Sequence, residues 1–327
     1  MAKFLGLGNA LVDILVQLPN EAKLFELDLP KGSMQLVDAK RMQSILAQTE
    51  GLPRTLAAGG SAANTIHGLA NLGVSAAFIG KVGDDSFGQA FASDLVQNGI
   101  TPVMLRGNSE SGRALAFITP DSERTFAVYL GAAIEMGAND LSLPLFHGYS
   151  HFHIEGYLVQ NHNLIRHAVE LAKQNGCIVS LDLASYNVVE ENKDFLREII
   201  ESYVDIVFAN EEEAKAFTGK HPIEALKDLS VLADIAVVKL GANGSLIKQG
   251  DNVFEIGVID ASSIDTTGAG DLYAAGFLYG LSKGLSLIKC GEIGSILSGH
   301  VIEVLGPKMD IQRWNRVKAL VLEVEKN

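Results

Sequence analysis

The run Asp-Thr-Thr-Gly-Ala-Gly-Asp at residues 265–271 combines carboxylates with glycines directly before an apolar segment, 272–281. That segment is apolar nearly all round, which predicts a helix buried inside the protein. Unpaired N–H groups and the helix dipole at its start would favour an anion. These N–H groups belong to Gly268, Ala269 and Gly270. Asp271 would repel a static phosphate there, so the pattern predicts a base that deprotonates a hydroxyl while the N–H groups receive a transferring phosphoryl group.

Two other interpretations compete with phosphoryl transfer. Asp271 could be a helix-capping aspartate on a glycine turn, since Asp commonly caps helices. The segment GLGNAL at 6–11 begins like the fingerprint of an NAD-dependent dehydrogenase, but Leu11 stands where the third glycine belongs. Residues 12–14 also have the pattern of extended chain rather than of a helix. A P-loop is excluded because the sequence contains no G-x-x-x-x-G-K-[ST].

The charge of the chain limits what it binds. Among its 327 residues, 39 acidic and 26 basic ones give a formal net charge of −13, which would repel nucleic acid and anionic lipid. No run approaches the ~18 apolar residues that span a bilayer. Cys177 and Cys290 lie in apolar runs without C-x-x-C spacing. We therefore expect a soluble, reduced, cytoplasmic protein with small-molecule partners, either a monomer or a homodimer.

Short apolar runs alternate with longer helical patterns, which predicts an α/β protein with a mostly parallel sheet covered by helices. The predicted strands are 3–8, 76–80, 150–154, 177–183, 204–209, 235–240 and 253–259. The predicted helices are 61–72, 86–98, 161–174, 193–202, 211–217, 268–283, 286–305 and 310–324.

Two stretches, 14–38 and 101–130, interrupt this rhythm with alternating patterns and turn residues. The second predicts a hairpin, RALAFIT–PDSE–RTFAVYL. We interpret the two stretches as a small β-rich lid beside an α/β body; edge strands of the main sheet are the alternative. The body would comprise 1–13, 39–100 and 131–327. Arg124 on the hairpin could reach an anion, although a solvated surface arginine is the default expectation.

Three segments together resemble the ribokinase-like carbohydrate and nucleoside kinases, the PfkB family. DTTGAGD matches the C-terminal signature of that family, and AGGSAANTIHGLANLG (58–73) with FIGKVGDDSFG (78–88) matches the N-terminal one. The signatures occur in the expected order, and the whole length fits. The resemblance implies a three-layer αβα fold with a small β-sheet lid, ATP as phosphoryl donor, Mg²⁺, and a phosphotransferase acting on an alcohol group.

The resemblance also implies roles for individual residues. Asp271 matches the catalytic base, and the backbone of Gly268, Ala269 and Gly270 matches the anion hole. Asn210 and Glu213 match an N-x-x-E motif that places Mg²⁺, through water, and phosphate; from the sequence alone they also suit the first turn of a helix. The nucleotide would be bordered by Gly241, Gly244 and Thr266. The hydroxyls of the acceptor would be bound by Asn9, Asp13, Gly59, Gly60 and Asn64. In some members, positions matching Asp265 and Thr267 take part in a monovalent-cation site, such as one for K⁺.

The order of strands supports this assignment independently of the family. Asn9 and Asp13 follow the predicted strand 3–8, and Asn210 follows 204–209. Gly241 follows 235–240, and the DTTGAGD run follows 253–259. The carboxyl ends of parallel strands share one edge of an open sheet, where ligands bind. The sequence therefore predicts one cleft.

Three segments are most similar to adenosine-kinase-type members: GNALVDILVQLP (8–19), LPKGSMQLVD (29–38) and TPDSERTFAVYLGAA (119–133). They favour a nucleoside, adenosine first, as phosphoryl acceptor. A sugar kinase acting on a ribose- or fructose-like substrate is the alternative. A non-catalytic nucleotide or sugar sensor on the same fold is a third interpretation, against which the retained Asp271 and glycines argue.

Overall fold

The computed structural model describes residues 2–120 and 124–326. Its strands are β1 Lys3–Leu7, β2 Leu11–Gln17, β3 Met34–Leu36, β4 Arg54–Gly59, β5 Ser75–Val82, β6 Ile100–Arg106, β7 Gly112–Ile118, β8 Arg124–Tyr129, β9 His151–Glu155, β10 Ile178–Asp182, β11 Ile206–Asn210, β12 Ile235–Lys239, β13 Ser245–Gln249 and β14 Asn252–Ile256. Its α-helices are α1 Ala22–Glu26, α2 Ala39–Gln48, α3 Ser61–Asn71, α4 Ser86–Gln97, α5 His162–Gln174, α6 Tyr186–Glu191, α7 Lys193–Tyr203, α8 Glu211–Thr218, α9 Pro222–Leu232, α10 Ala269–Ser282, α11 Leu287–Val301 and α12 Ile311–Lys326.

Nine of these strands form one large sheet in the order β14-β13-β12-β11-β10-β9-β1-β5-β6. From β12 to β6 every neighbouring pair is parallel. Successive side chains face opposite sides, so that Phe208 packs in one apolar core and Val207 in the other. Helices α3, α10, α11 and α12 cover the first core, and α5, α7, α8 and α9 cover the second. The predicted three-layer α/β fold with a mostly parallel sheet is thus confirmed.

The edge of this sheet contains a strand that the sequence pattern did not predict. Strand β13 pairs antiparallel with β12 and with β14. Its last two residues, Lys248 and Gln249, are polar, so the strand lacks the continuous apolar run of the inner strands. The chain reverses direction twice, and β14 therefore ends at the same edge as β12. The run 265–271 follows from that edge, as predicted.

A second sheet has five strands in the order β3-β8-β7-β2-β4. Strands β7 and β8 pair antiparallel from Arg113 opposite Tyr129 to Ile118 opposite Arg124, which confirms the predicted hairpin. Residues 121–123 of its predicted PDSE turn lie outside the described residues. The continuation of β1 into β2 is extended, as expected for residues 12–14, and not helical.

Two strands lie in a different sheet from the one that the sequence predicted. Strand β6 falls in the predicted lid segment 101–130 but pairs in parallel with β5 in the large sheet, where Ile100 is buried in the core. Strand β4 falls in the predicted body segment 39–100 but pairs antiparallel with β2 in the small sheet. Long-range pairing decides both assignments, and local patterns do not encode it. The division of the chain into a body and a lid stays a prediction.

Helix α10 carries the residues that follow the glycine-rich run. Its residues from Leu272 to Gly280 are all buried, because the helix packs between α3 and α11. Glycines allow this close packing: Gly276 lies against the backbone of α11, and Gly68 of α3 lies against Ala275. Within residues 2–120 and 124–326, no helix is both long enough and apolar enough to cross a membrane.

We expect Gly276→Ala to destabilise the protein. A Cβ at Gly276 would lie 2.7 Å from the carbonyl oxygen of Ile293 and 2.8 Å from the nitrogen of Gly294. Overpacking of this kind costs about 1–3 kcal/mol, which should exceed the ~1 kcal/mol of helix propensity that alanine gains. Urea unfolding measures the free energy of unfolding.

The matched control is Gly137→Ala. No atom lies within 4 Å of a Cβ at Gly137, and its φ of −132° suits any residue. Equal loss of unfolding free energy in both variants would contradict the close backbone contact between α10 and α11.

Candidate active site

A cavity of about 710 Å³ opens at the carboxyl ends of the parallel strands and is lined by residues of both sheets. The predicted site residues on its wall are Asp13, Gly60, Asn64, Asn210, Glu213, Gly241, Gly244, Thr266, Thr267, Gly268, Ala269, Gly270 and Asp271. Three others, Asn9, Gly59 and Asp265, lie behind that wall. The motifs that are scattered along the sequence therefore meet at one cavity.

Asp271 lies in the first turn of α10 and is held by the first turn of α3. The Ser61 hydroxyl donates to one carboxylate oxygen at 2.7 Å, and the Asn64 amide donates to the other at 2.9 Å. Burial raises the pKa of Asp271 to about 6, and the hydrogen bonds from Asn64 and Ser61 oppose that rise. The carboxylate is therefore ionised at neutral pH but basic enough to take a proton.

The glycines of 265–271 shape the start of α10. Gly268 has φ of 76°, a left-handed conformation that favours glycine. The Ala269 amide donates to the Thr266 carbonyl at 3.2 Å and closes the turn before the helix. In the described part of the chain, the amides of Gly268 and Gly270 have no such backbone partner. Of the three predicted anion-hole amides, these two are therefore the ones open to a ligand.

Asp13 and the 59–60 glycines form the neighbouring wall. A Cβ at Gly59 would lie 2.2 Å from the Asp13 carboxylate, so glycine there leaves room for the aspartate. Gly60 has φ of 96° and begins α3 beside the Asn9 carbonyl. The pKa of Asp13 is raised to about 7, mainly by burial and also by the Asp271 carboxylate, whereas the cations Lys308 and Arg124 oppose the rise. Gly59 thus lies behind the cavity wall and contributes to the site by leaving room for the Asp13 side chain.

Asn9 is engaged inside the protein rather than at the cavity. Its side-chain amide and its backbone N–H both donate to one carboxylate oxygen of Glu155, at 2.8 and 2.9 Å. The other Glu155 oxygen accepts from the backbone N–H of Ala62 in α3 at 2.9 Å. Glu155 is 1% exposed, and burial raises its pKa to about 7. It fixes the start of α3, which carries the partners of Asp271.

Asn210 and Glu213 form a reciprocal cap at the start of α8. The Glu213 N–H donates to the Asn210 side chain at 2.9 Å, and the Asn210 N–H and amide donate to the Glu213 carboxylate at 2.7 and 2.6 Å. The two residues are thus the first turn of a helix and also part of the cavity wall. Burial raises the pKa of Glu213 to about 7, and Asp182 adds to the rise.

These side chains fit a magnesium ion that is bound through water and phosphate. Among the described residues each carboxylate oxygen of Glu213 accepts one hydrogen bond, from Asn210, which leaves a second lone pair for a water ligand. No cluster of three or more His, Cys, Asp or Glu side chains that could hold a metal ion occurs among the described residues. Mg²⁺ typically keeps several waters and completes its shell with one or two carboxylates and phosphate oxygens.

Asp265 is occupied by protein groups. Its carboxylate accepts from the N–H of Thr267 at 2.9 Å and of Gly306 at 2.6 Å, and it is paired with the Arg124 guanidinium. Arg124 also donates to the Thr267 hydroxyl. The Arg124 side chain is 11% exposed, so the default expectation of a solvated arginine is wrong. While Arg124 is paired there, these contacts do not fit a potassium ion bound by the Asp265 carboxylate.

The loop between β12 and β13 borders the opposite end of the cavity. Gly244 packs against the end of β14, where a Cβ would lie 1.9 Å from the Ile256 carbonyl oxygen. Gly241 and Thr266 line the same wall. The wall continues with apolar and small residues, namely Val258, Ile259, Ala261, Gly299 and Ile302. This end can hold a flat, apolar group such as a nucleotide base.

Sequence reasoning missed three charged residues of the site. Glu155, Asp182 and Lys239 are the last residues of β9, β10 and β12, just as Asn210 is the last of β11. The Lys239 ammonium lies 2.6 Å from the Asp182 carboxylate. The signal was present in the sequence, because each charge interrupts an apolar run where a parallel strand ends.

A model of the family described as pfkB family carbohydrate kinase matches residues 37–313. The chain belongs to this family. It is 34% identical to the adenosine kinase of Sinorhizobium meliloti, whose crystal structure superposes with a TM-score of 0.87 over 98% of this chain and 99% of that one. It is 29% identical to the adenosine kinase of Saccharomyces cerevisiae over 92% and 95% of the two chains. It is 27% identical to an uncharacterized sugar kinase of Archaeoglobus fulgidus over 75% and 98%.

Family membership gives the reaction class. The chain is a phosphotransferase with an alcohol group as acceptor, of the nucleoside or sugar type. The family resemblance inferred from 58–73, 78–88 and 265–271 is confirmed. The competing dehydrogenase interpretation of 6–11 is wrong, because β1 is followed by strand β2 and not by a helix.

We expect Ser61→Ala to shift the pH dependence of activity. The Ser61 hydroxyl stabilises ionised Asp271, so its removal should raise the pKa of Asp271 above about 6. A base must be ionised to act, so the acidic limb of the pH profile of kcat/KM should move to higher pH. Most of the loss of activity should occur near pH 6, and little at pH 8. A pH–rate profile with an accepted alcohol substrate measures it.

The control is Thr65→Val. The Thr65 hydroxyl donates to the backbone carbonyls of Ser61 and Asp271 and not to the carboxylate. Its removal should leave the acidic limb in place. A limb that moves equally in both variants, or in neither, would contradict the assignment of Ser61 as a partner of the ionised base.

Proposed function

We propose that this chain transfers the γ-phosphoryl group of ATP to the 5′-hydroxyl of a nucleoside, with adenosine as the favoured acceptor. The observation that carries the choice of acceptor is Phe126. This residue lies two positions from Arg124 on β8, on the same face of the small sheet, and it lines the cavity. An aromatic ring at this position can stack on a base, whereas a free sugar offers no aromatic face.

Overall similarity to known kinases is equal for the two acceptor classes. The adenosine kinase of Sinorhizobium meliloti and a probable sugar kinase of Rhizobium etli both superpose over 98% of this chain, with TM-scores of 0.87 and 0.88. The choice of acceptor therefore rests on the site. In this chain the small sheet supplies Phe126 and Asp13 to the cavity.

In the proposed reaction Asp271 takes the proton of the acceptor hydroxyl. The hydroxyl oxygen forms a bond to the γ-phosphorus, and the bond from that phosphorus to the bridging oxygen of ATP breaks, so that ADP leaves with the electron pair. The free amides of Gly268 and Gly270 receive the transferring oxygens at the positive end of α10. Asp13, Gly60 and Asn64 hold the remaining acceptor hydroxyls.

The donor would occupy the other end of the cavity. Gly241, Gly244 and Thr266 border its base and ribose, and the apolar wall that contains Ile259 and Ile302 covers the base. Asn210 and Glu213 would hold a magnesium ion through water; the ion would neutralise charge on the phosphates.

The small sheet would serve as a lid. Arg124 joins this sheet to the loop that precedes α10, through Asp265 and Thr267. Closure of the sheet over the acceptor excludes water, which would otherwise take the phosphoryl group.

A sugar kinase is the second candidate, because Asp13, Gly60 and Asn64 would bind the hydroxyls of a free sugar equally well. The non-catalytic sensor gains no support from the site. Asp271 is buried, is hydrogen-bonded in its ionised form and lies beside the free amides of α10. A sensor has no need of a base in that place.

One panel of assays tests the acceptor. Purified protein with ATP and Mg²⁺ is given adenosine, other nucleosides, ribose, fructose or 2-keto-3-deoxygluconate, with and without K⁺, and ADP release is measured. We expect the highest kcat/KM with adenosine. A higher value with a free sugar would establish the second candidate, and no turnover with any acceptor would favour the sensor.

The Asp271→Asn variant tests the base in the same assay. A general base typically contributes about 10²–10⁴-fold to the rate, so kcat should fall by that factor. Asn keeps the size of the side chain and still accepts from Ser61 or Asn64, which limits the structural change. Near-normal turnover would contradict the role of Asp271.

A further inference from the structure

Lys239 lies at the base of the cavity, between the large sheet and the start of α10. It is the last residue of β12, and its side chain is 13% exposed. Its ammonium lies 2.6 Å from the Asp182 carboxylate. A Cβ at Gly270 would lie 3.0 Å from the same nitrogen. The cation therefore lies against the residue whose free amide faces the cavity.

An ammonium group has three N–H donors. Among the described residues, Asp182 is the one hydrogen-bond acceptor that Lys239 contacts. The remaining N–H donors are available to a ligand in the cavity, since Lys239 is part of the cavity wall. Buried donors without acceptors are costly, and an anionic ligand in the cavity would satisfy them.

The charges around the cavity make this cation important. Among the described residues that line the cavity, Lys239 carries the one cationic side chain, whereas Asp13, Asp182, Glu213 and Asp271 are acidic. Burial lowers the pKa of Lys239, but Asp182 and Glu213 outweigh burial and the net pKa is raised. Lys239 is thus charged at neutral pH, and its charge offsets the repulsion that this wall would exert on a phosphate.

Arg124 does not supply the same charge in this structure. It is held at the loop that precedes α10, by Asp265 and Thr267, and it is not among the described residues that line the cavity. A purely structural ion pair would explain the contact of Lys239 with Asp182. It would not explain why the ammonium is placed on the wall of the cavity and against Gly270.

We propose that Lys239 is a catalytic residue whose ammonium binds the oxygens of the transferring γ-phosphoryl group, together with the free amides of α10. The inference rests on the proposed transfer from ATP. The acceptor hydroxyl gives its proton to Asp271, its oxygen bonds to the γ-phosphorus, and ADP leaves with the electrons of the broken bond. Lys239 stays protonated throughout and stabilises the charge on the three equatorial oxygens.

The test compares Lys239→Met with Lys81→Met. Lys81 forms a similar ion pair, 2.8 Å from Asp140, with a side chain that is 11% exposed. Lys81 is not one of the described residues that line the cavity. We expect kcat of Lys239→Met to fall by about 10²–10³-fold, the usual effect of removing one preorganised donor. Lys81→Met should keep kcat near that of the wild type.

Binding of ATP and ADP without acceptor gives a readout that does not depend on the acceptor. A contact with the γ-phosphoryl group is lost for ATP and not for ADP. Titration calorimetry should therefore show ATP affinity falling by about tenfold or more in Lys239→Met, with ADP affinity nearly unchanged. Equal weakening of both nucleotides, or unchanged kcat, would overturn the proposal.

A second variant covers the case that Lys239→Met does not fold. Lys239→Arg keeps the charge and the pair with Asp182, so it should fold and keep the preference for ATP over ADP, with a reduced kcat because its donors lie elsewhere. Loss of that preference in Lys239→Arg would count against the phosphoryl contact.

If the wild-type chain bound neither nucleotide, the proposed donor would be wrong and Lys239 would lose its assigned ligand. Binding of ATP with no turnover on any acceptor would contradict the proposed acceptor alone.

Discussion

The contact between the first turns of α3 and α10 is the constraint on which the site depends. Ser61 and Asn64 donate to Asp271 across 210 and 207 residues of sequence. This contact joins the N-terminal and C-terminal signature segments of the family into one structure. The small residues of both helices, such as Gly68 and Ala275, let the helices approach closely enough for the hydrogen bonds to form. Packing and catalytic geometry are therefore set by the same residues.

Glu155 extends this constraint to the rest of the sheet. Its carboxylate binds Asn9 after β1 and the N–H of Ala62 in α3. The first turn of α3 is thus fixed by the end of β9 as well as by α10. A buried carboxylate with three N–H donors specifies one position of its partners, which an apolar contact would not. The hydrogen bonds of Glu155 hold the partners of Asp271 in place before any ligand binds.

Electrostatics explain how a chain of net charge −13 can bind a triphosphate. The cavity gathers acidic side chains, and burial raises the pKa of two of them, Asp13 and Glu213, to about 7. Near neutral pH these groups carry only part of their charge. The N–H groups at the start of α10 and the Lys239 ammonium provide positive potential close by, on the side of the transferring phosphoryl group.

Much of the fold could be predicted from the sequence, because inner parallel strands are continuous apolar runs and α10 is apolar all round. The assignment of β4 to the small sheet and of β6 to the large sheet could not be predicted, since it depends on pairing between distant strands. Asp271 was found from its glycine-rich context. Lys239 and Asp182 were missed because a single charge at the end of a strand resembles an ordinary strand terminus until its neighbours are known. Arg124 was singled out on the hairpin, but its pairing with Asp265, 141 residues away, could not be predicted from the local pattern.

The central claim is that Asp271 deprotonates the acceptor hydroxyl beside the free amides of α10. A crystal structure with adenosine and a non-hydrolysable ATP analogue tests it most directly. The account predicts the 5′-hydroxyl oxygen within about 2.6–3.2 Å of the Asp271 carboxylate, with γ-phosphate oxygens at the amides of Gly268 and Gly270. A 5′-hydroxyl held by Asp13 instead, or a γ-phosphate bound away from the start of α10, would contradict it.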